Sequence, residues 1–146
     1  MRDFKFHAFF VWSVLFGLVC AVDNAAKETP NKAVSATLMT QLAAHNAEDV
    51  KQYMATIHPD SPVRQLTEEV TAQLYEKWDF RTTLDEHKVI AVEGDTAKCR
   101  FTMTTRWAAG PKDFRDNRVK GVHMFKRAGD RWLMWDTKVD EIKYLD

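Results

Sequence analysis

Two cysteines, Cys20 and Cys99, are all the chain has, and neither charge sign is in surplus, with 21 Lys and Arg against 21 Asp and Glu. Each shortage excludes something. Balanced, interspersed charge gives no basic stripe to displace counterions from phosphates, so no nucleic-acid partner is expected. The longest apolar run, residues 8–22, has fifteen residues, short of the roughly 20 that a helix needs to cross a bilayer's hydrocarbon core. There is no glycine-rich phosphate loop and no nucleophile elbow. His45, His58, His87 and His123 are scattered without the close spacing of a zinc motif, so neither a metal nor a cofactor is expected.

The short apolar run reads instead as an export signal. Arg2 and Lys5 precede it, and Val19-Cys20-Ala21 offers small residues for cleavage after Ala21. The expected organisation is a signal peptide at 1–21, a flexible leader at 22–31 and one domain over 32–146. The mature protein is then periplasmic or secreted, with no stable membrane span. An uncleaved anchor or lipidation at Cys20 are the alternatives, although Gly17-Leu18-Val19 does not suit a lipobox. Removing 1–21 leaves 125 residues, enough for one core and too few for two. Cys99 then stands alone, so no intramolecular disulfide forms.

Apolar periodicity divides the domain in two. Val34, Leu38 and Leu42 recur at four-residue spacing and predict a helix over 33–44. Asn46 is expected to cap a second helix with the stripe Val50, Tyr53, Met54 and Ile57, stopped by Pro59 and Pro62. A third helix is expected to open at Thr67, with Val70, Leu74, Tyr75 and Trp78 along one side. After Phe80 the period drops to two, with tight turns at Gly94-Asp95 and Gly129-Asp130. The first turn sets Ile90 opposite Cys99 and Val92 opposite Ala97. The second sets Met124 opposite Trp135, Phe125 opposite Met134, and His123 opposite Asp136. Cys99 alternates with Phe101 and reads as a buried small hydrophobe, not a nucleophile. The expected class is α+β, three N-terminal helices packed on a strongly curved antiparallel β-meander.

Four stretches carry a resemblance: Ala44-His45-Asn46-Ala47-Glu48-Asp49-Val50, Tyr53-Met54-Ala55-Thr56-Ile57-His58-Pro59-Asp60-Ser61-Pro62, Gly110-Pro111-Lys112-Asp113-Phe114-Arg115-Asp116-Asn117, and the ending over 132–145. With them the chain resembles the nuclear transport factor 2-like superfamily, the cone fold of ketosteroid isomerases and polyketide cyclases, and most of all its small exported bacterial members. The resemblance implies a pocket between the concave sheet face and the helices. It also implies catalytic positions near Leu42, the segment 58–62 and Val122, where the acid and base residues of ketosteroid isomerases are not retained.

Several residues could still carry chemistry. His123 beside Asp136 would make an oriented general base, or an ordinary cross-strand pair on the outer face if Met124 and Trp135 point into the pocket. His58 and Asp60 flank a proline-set turn, where a histidine more often meets the negative end of a helix dipole. Arg115 and Arg118, in and beside a long loop, could clamp an anion; alternatively Phe114 plugs that loop against the sheet. Tyr53, Trp78, Arg106, Arg115, Met124 and Trp135 are the candidate ligand contacts, although core packing is the commoner fate of tryptophans, Trp132 above all.

These readings leave three functions open. The first is a module binding a small, partly apolar molecule. The second is an isomerase, dehydratase or cyclase, favoured by inward polar groups near Arg106 or Asp79. The third is an oligomerisation or protein-interaction module, favoured by a pocket filled with its own Trp and Met side chains. A homodimer through the outer sheet face is expected in each.

Overall fold

A computed structural model describes residues 29–145. The signal at 1–21, the cleavage after Ala21 and the lipidation alternative at Cys20 lie outside the described residues, as does the leader up to residue 28. Helix α1 (Pro30–Asn46) begins with proline in its first turn, where no N–H is needed. The folded chain therefore starts earlier than Lys32, and Pro30 opens the helix instead of belonging to a leader. Val34 and Leu38 are fully buried, and truncating such a leucine typically costs about 3 kcal/mol.

Helix α1 ends in a left-handed turn. Glu48 takes φ 55°, its N–H reaches the His45 carbonyl at 3.2 Å, and the Asp49 N–H reaches the Ala44 carbonyl at 3.0 Å. The cap of α2 (Val50–Met54) is Asp49, which accepts the Gln52 N–H at 2.9 Å. Asn46 is not that cap. Its amide instead pairs with both backbone groups of Thr82, each at 2.8 Å, imitating one rung of a β-ladder. Helix α3 (Arg64–Lys77) starts three residues ahead of Thr67 and has no side-chain cap. Arg64 fixes that start by donating to the carbonyls of Met54 and Ile57 at 3.2 and 2.9 Å. The helix consequently buries Thr71 and leaves Val70 and Leu66 exposed.

Strands β1 (Asp79–Glu93), β2 (Thr96–Ala109), β3 (Asn117–Ala128) and β4 (Arg131–Tyr144) form one antiparallel sheet in the order β1-β2-β3-β4. The architecture is α+β, three helices with a four-stranded antiparallel sheet. Val34, Leu38, Met54, Ile57, Cys99, Phe125, Trp132 and Met134 form the core between them. The hairpin turns place Val92 opposite Ala97 and Phe125 opposite Met134, as their sequences require.

Beyond each turn a bulge moves the register. Ile90 is the extra residue between Val89 and Ala91, so Val89, not Ile90, faces Cys99. Trp135 is the extra residue in β4, so His123 faces Thr137 and Met124 faces Asp136. The pairings of His123 with Asp136 and of Met124 with Trp135 do not form. His123 turns toward the helices because it shares the inner side of β3 with buried Phe125, two residues on, while Met124 turns away; the extra residue in β4 reverses that strand's parity and sets Thr137, not Asp136, beside the ring.

Candidate functional site

The one-residue shift at Trp135 brings Thr137 and Val139 onto the same inner face as Met134. Between α1, α2 and the inner face of the sheet lies a cavity of about 250 Å³. Phe101, Met103, Val119, Leu42, Met134 and Val139 supply its apolar wall; Gln41, His45, Tyr53, Thr82, Thr105, His123 and Thr137 supply polar atoms. None of the lining residues is Lys, Arg, Asp or Glu.

At one end, His45 Nδ1 lies 2.8 Å from the Tyr75 hydroxyl. Its ring packs among Tyr53, Tyr75 and Phe80, with centroids 5.8, 5.5 and 4.8 Å away. Burial lowers the His45 pKa to about 4 and pushes that of Tyr53 up to about 12. Tyr75 is raised too, by burial first and then by Tyr53, Glu48 and Asp49. Both phenols are therefore neutral donors at physiological pH, and His45 is a neutral imidazole. The Thr82 and Thr105 hydroxyls, 2.9 Å apart across β1 and β2, satisfy each other.

At the other end, Gln41 is 5% exposed and spends its amide N–H on the Thr56 hydroxyl at 3.1 Å and the Met134 sulfur at 3.6 Å. His123 is 6% exposed. Its Nδ1 lies 2.7 Å from the Thr137 hydroxyl, and its ring stacks on Phe101 with centroids 4.0 Å apart and planes at 11°. Burial lowers its pKa to about 4. Its Nε2 is buried and has no partner among the described residues. Whichever nitrogen carries the proton, one side of this imidazole is left unsatisfied, at a cost of about 1–3 kcal/mol.

Of the residues singled out from the sequence, Tyr53 and His123 line the cavity. The others lie elsewhere. His58 is buried against Trp135, edge to face at 5.1 Å, and its Nδ1 accepts the Asp60 N–H at 3.1 Å, while Asp60 itself is exposed. Asp136 accepts the N–H of its neighbour Thr137 at 2.7 Å. Trp135 lies under the Lys126 ammonium, 3.4 Å from the ring centroid. Arg106 pairs with Asp116 at 3.5 Å, and Trp78 donates to Asp113 at 2.8 Å.

The two loop arginines do not converge. Arg115 sits over the Tyr144 ring at 4.2 Å, whereas Arg118 reaches Asp85 at 3.4 Å. The loop over 110–116 is fastened by Phe114, which packs on Phe80 and Trp78 with centroids 5.9 and 5.8 Å away. Asp116 adds to this by accepting the Trp107 N–H at 2.7 Å. Phe114 is the hydrophobic plug.

The sequence reading missed Gln41 and His45. A signal was present: they follow Leu38 at helical spacings of three and seven, so they continue the buried stripe with polar groups.

Residues 36–145 match the family described as anti-sigma-I factor RsgI9, C-terminal domain. No curated protein matches the sequence. Among solved structures, a candidate aromatic ring hydroxylase from Novosphingobium aromaticivorans superposes with a TM-score of 0.63 at 17% identity, over 77% of this chain and 91% of that one. An uncharacterised protein with a cystatin-like fold from Caulobacter vibrioides gives 0.63 at 11%, over 78% and 88%. A candidate dehydratase of the NTF2-like family from Streptomyces avermitilis gives 0.55 at 17%, over 72% and 90%. Such low identities establish the shared fold and leave chemistry to the residues.

Proposed function

The chain belongs to the family of the anti-sigma-I factor RsgI9 C-terminal domain, and from that premise we propose that it is a binding module enclosing a small, uncharged, partly apolar molecule. The observation that carries this reading is a cavity with an apolar wall, several neutral polar side chains and no formal charge. Scaled from an engineered cavity of about 150 Å³ that holds benzene, the space suits about ten non-hydrogen atoms. The family takes its name from a regulatory protein, a setting that suits recognition better than turnover.

An enzymatic reading draws on the names of two neighbours, a hydroxylase and a dehydratase. The cavity's ionisable groups argue against it. General acids and bases work best with pKa values near the operating pH, whereas His45, His123 and Tyr53 are displaced to about 4, about 4 and about 12.

Native mass spectrometry of gently purified protein is the test. A reproducible neutral adduct on the folded species is expected, lost in Val139→Trp, which places a large ring at the exposed lip. Absence of any adduct, together with no binding across a panel of uncharged aromatic and alicyclic alcohols and ketones, would remove the reading. Conversion of a bound compound over time would move it to the enzyme class. Export remains part of the proposal, and N-terminal sequencing of the mature protein should begin at Val22.

A further inference from the structure

The charge balance of the whole chain hides an asymmetry on the sheet. Directly paired residues share a face, so the row Lys88, Arg100, Val122 and Lys138 crosses all four strands on the side turned away from the cavity. Lys98, opposite Met124, stands on the same side one step along β2. Lys88, Lys98 and Arg100 are exposed, and among the described residues their side chains have no hydrogen-bond or ion-pair partner. The acids of this face are engaged or sit on the edge strands: Glu141 pairs with Lys120 at 3.2 Å, Asp140 with Lys138 at 3.7 Å and Asp85 with Arg118 at 3.4 Å, while Glu86 and Glu93 lie on β1 and Asp136 on β4, leaving Lys98 and Arg100 on the central strand β2.

We propose that this outer face docks an extended acidic segment of a partner protein. Lys98 and Arg100 are two residues apart on one strand, about 6.8 Å, the same repeat as the same-side carboxylates of an extended peptide. Half-buried Val122 and Met124 lie between the cations and give that segment an apolar footing, the mixture of arginine and methionine typical of protein interfaces. Single-stranded nucleic acid would need bare aromatic rings to stack on, and the tryptophan here, Trp135, is capped by Lys126. A flat lipid surface would meet only part of a sheet bent by five register shifts. A second copy docked back to back would set like charges against each other, so this face favours a different partner over a homodimer.

Fluorescence anisotropy with an alternating glutamate–threonine peptide tests the proposal. The expected result is salt-sensitive binding, weakened at least about tenfold in Lys98→Glu/Arg100→Glu, as two exposed attractions become two repulsions. Lys51→Glu on α2 and Val139→Trp at the cavity lip should both bind like the parent, which separates this surface from the cavity. No binding, or equal binding by the double variant, would overturn the proposal. So would tighter binding of an oligonucleotide or of phosphatidylglycerol vesicles through the same residues, or a dimer that Arg100→Glu dissolves.

Discussion

Replacing His123 with phenylalanine separates what the imidazole does for folding from what it does for recognition. The ring lies flat on Phe101, a contact that phenylalanine keeps. The substitution removes the hydrogen bond to Thr137, about 0.5–1.5 kcal/mol, and also the buried, partnerless Nε2, whose desolvation costs about 1–3 kcal/mol. Thr137 retains its contact with the Met134 sulfur at 3.5 Å. Near neutral pH the variant should therefore range from roughly unchanged to about 2 kcal/mol more stable.

The pH dependence sharpens the same prediction. The folded pKa of His123 is about 4 against 6.5 for the free side chain. In that window the unfolded chain binds the proton and the folded chain does not. Its contribution to stability is thus complete above about 6.5 and is lost as pH falls toward about 4. Between about pH 7 and pH 5 the parent loses about 2 kcal/mol through this residue, and the half-buried His45 adds a loss of the same sign. Urea denaturation at the two pH values should show His123→Phe losing about 2 kcal/mol less than the parent. Ligand affinity should fall at least about tenfold with the loss of the polar atom. An unchanged pH slope, or a variant destabilised by more than about 2 kcal/mol near neutrality, would refute the account of a buried, neutral, unsatisfied ring.

Four further outcomes follow from local geometry. Gly121→Ala should cost at least about 2 kcal/mol in chemical denaturation, because a Cβ there would collide with the Lys138 carbonyl oxygen and lie 3.1 Å from the Phe101 ring. Asn46→Ala should cost about 2 kcal/mol by the same assay, since both backbone groups of Thr82 lose their amide partner. Glu48→Gly should raise stability by about 1 kcal/mol, because φ 55° is strained for a residue with a Cβ. Cys99 is fully buried with its thiol pKa raised by burial, so a thiol reagent should label it only on unfolding; fast labelling of the native protein would contradict that burial.

Much of the fold was legible because it rests on short-range rules. The stripe Val34 and Leu38, the glycine turns at Gly94 and Gly129, and the alternation of Ala97, Cys99 and Phe101 each follow from neighbours within a few residues, and each stands in the structure. What escaped depends on contacts distant in sequence. Asn46 and Asp49 are both good caps, and nothing near either residue says that Asn46 is taken by Thr82. Likewise Thr67 is a sound helix start until Arg64 anchors the chain three residues earlier on the carbonyls of Met54 and Ile57.

The site was the least legible part, and for one physical reason. A bulge leaves composition and alternation almost untouched, yet it reverses which residues of a strand face the core. At Trp135 that reversal exchanges Asp136 for Thr137 opposite His123, whose own strand already turns it inward with Phe125, so the ring lies on Phe101 and Thr137 as a buried neutral group and not in an ion pair. The alternation of β3 sends Met124 outward beside Lys98. Deleting Trp135 removes the extra residue and closes the ladder with Met124 still opposite Asp136 and His123 still opposite Thr137, so His123 should stay buried and neutral. A histidine titration followed by NMR in the deletion variant reads this directly: a His123 pKa still near 4 is expected, and a rise to the ordinary histidine range would mean that the bulge, and not the alternation of β3, sets its inward position.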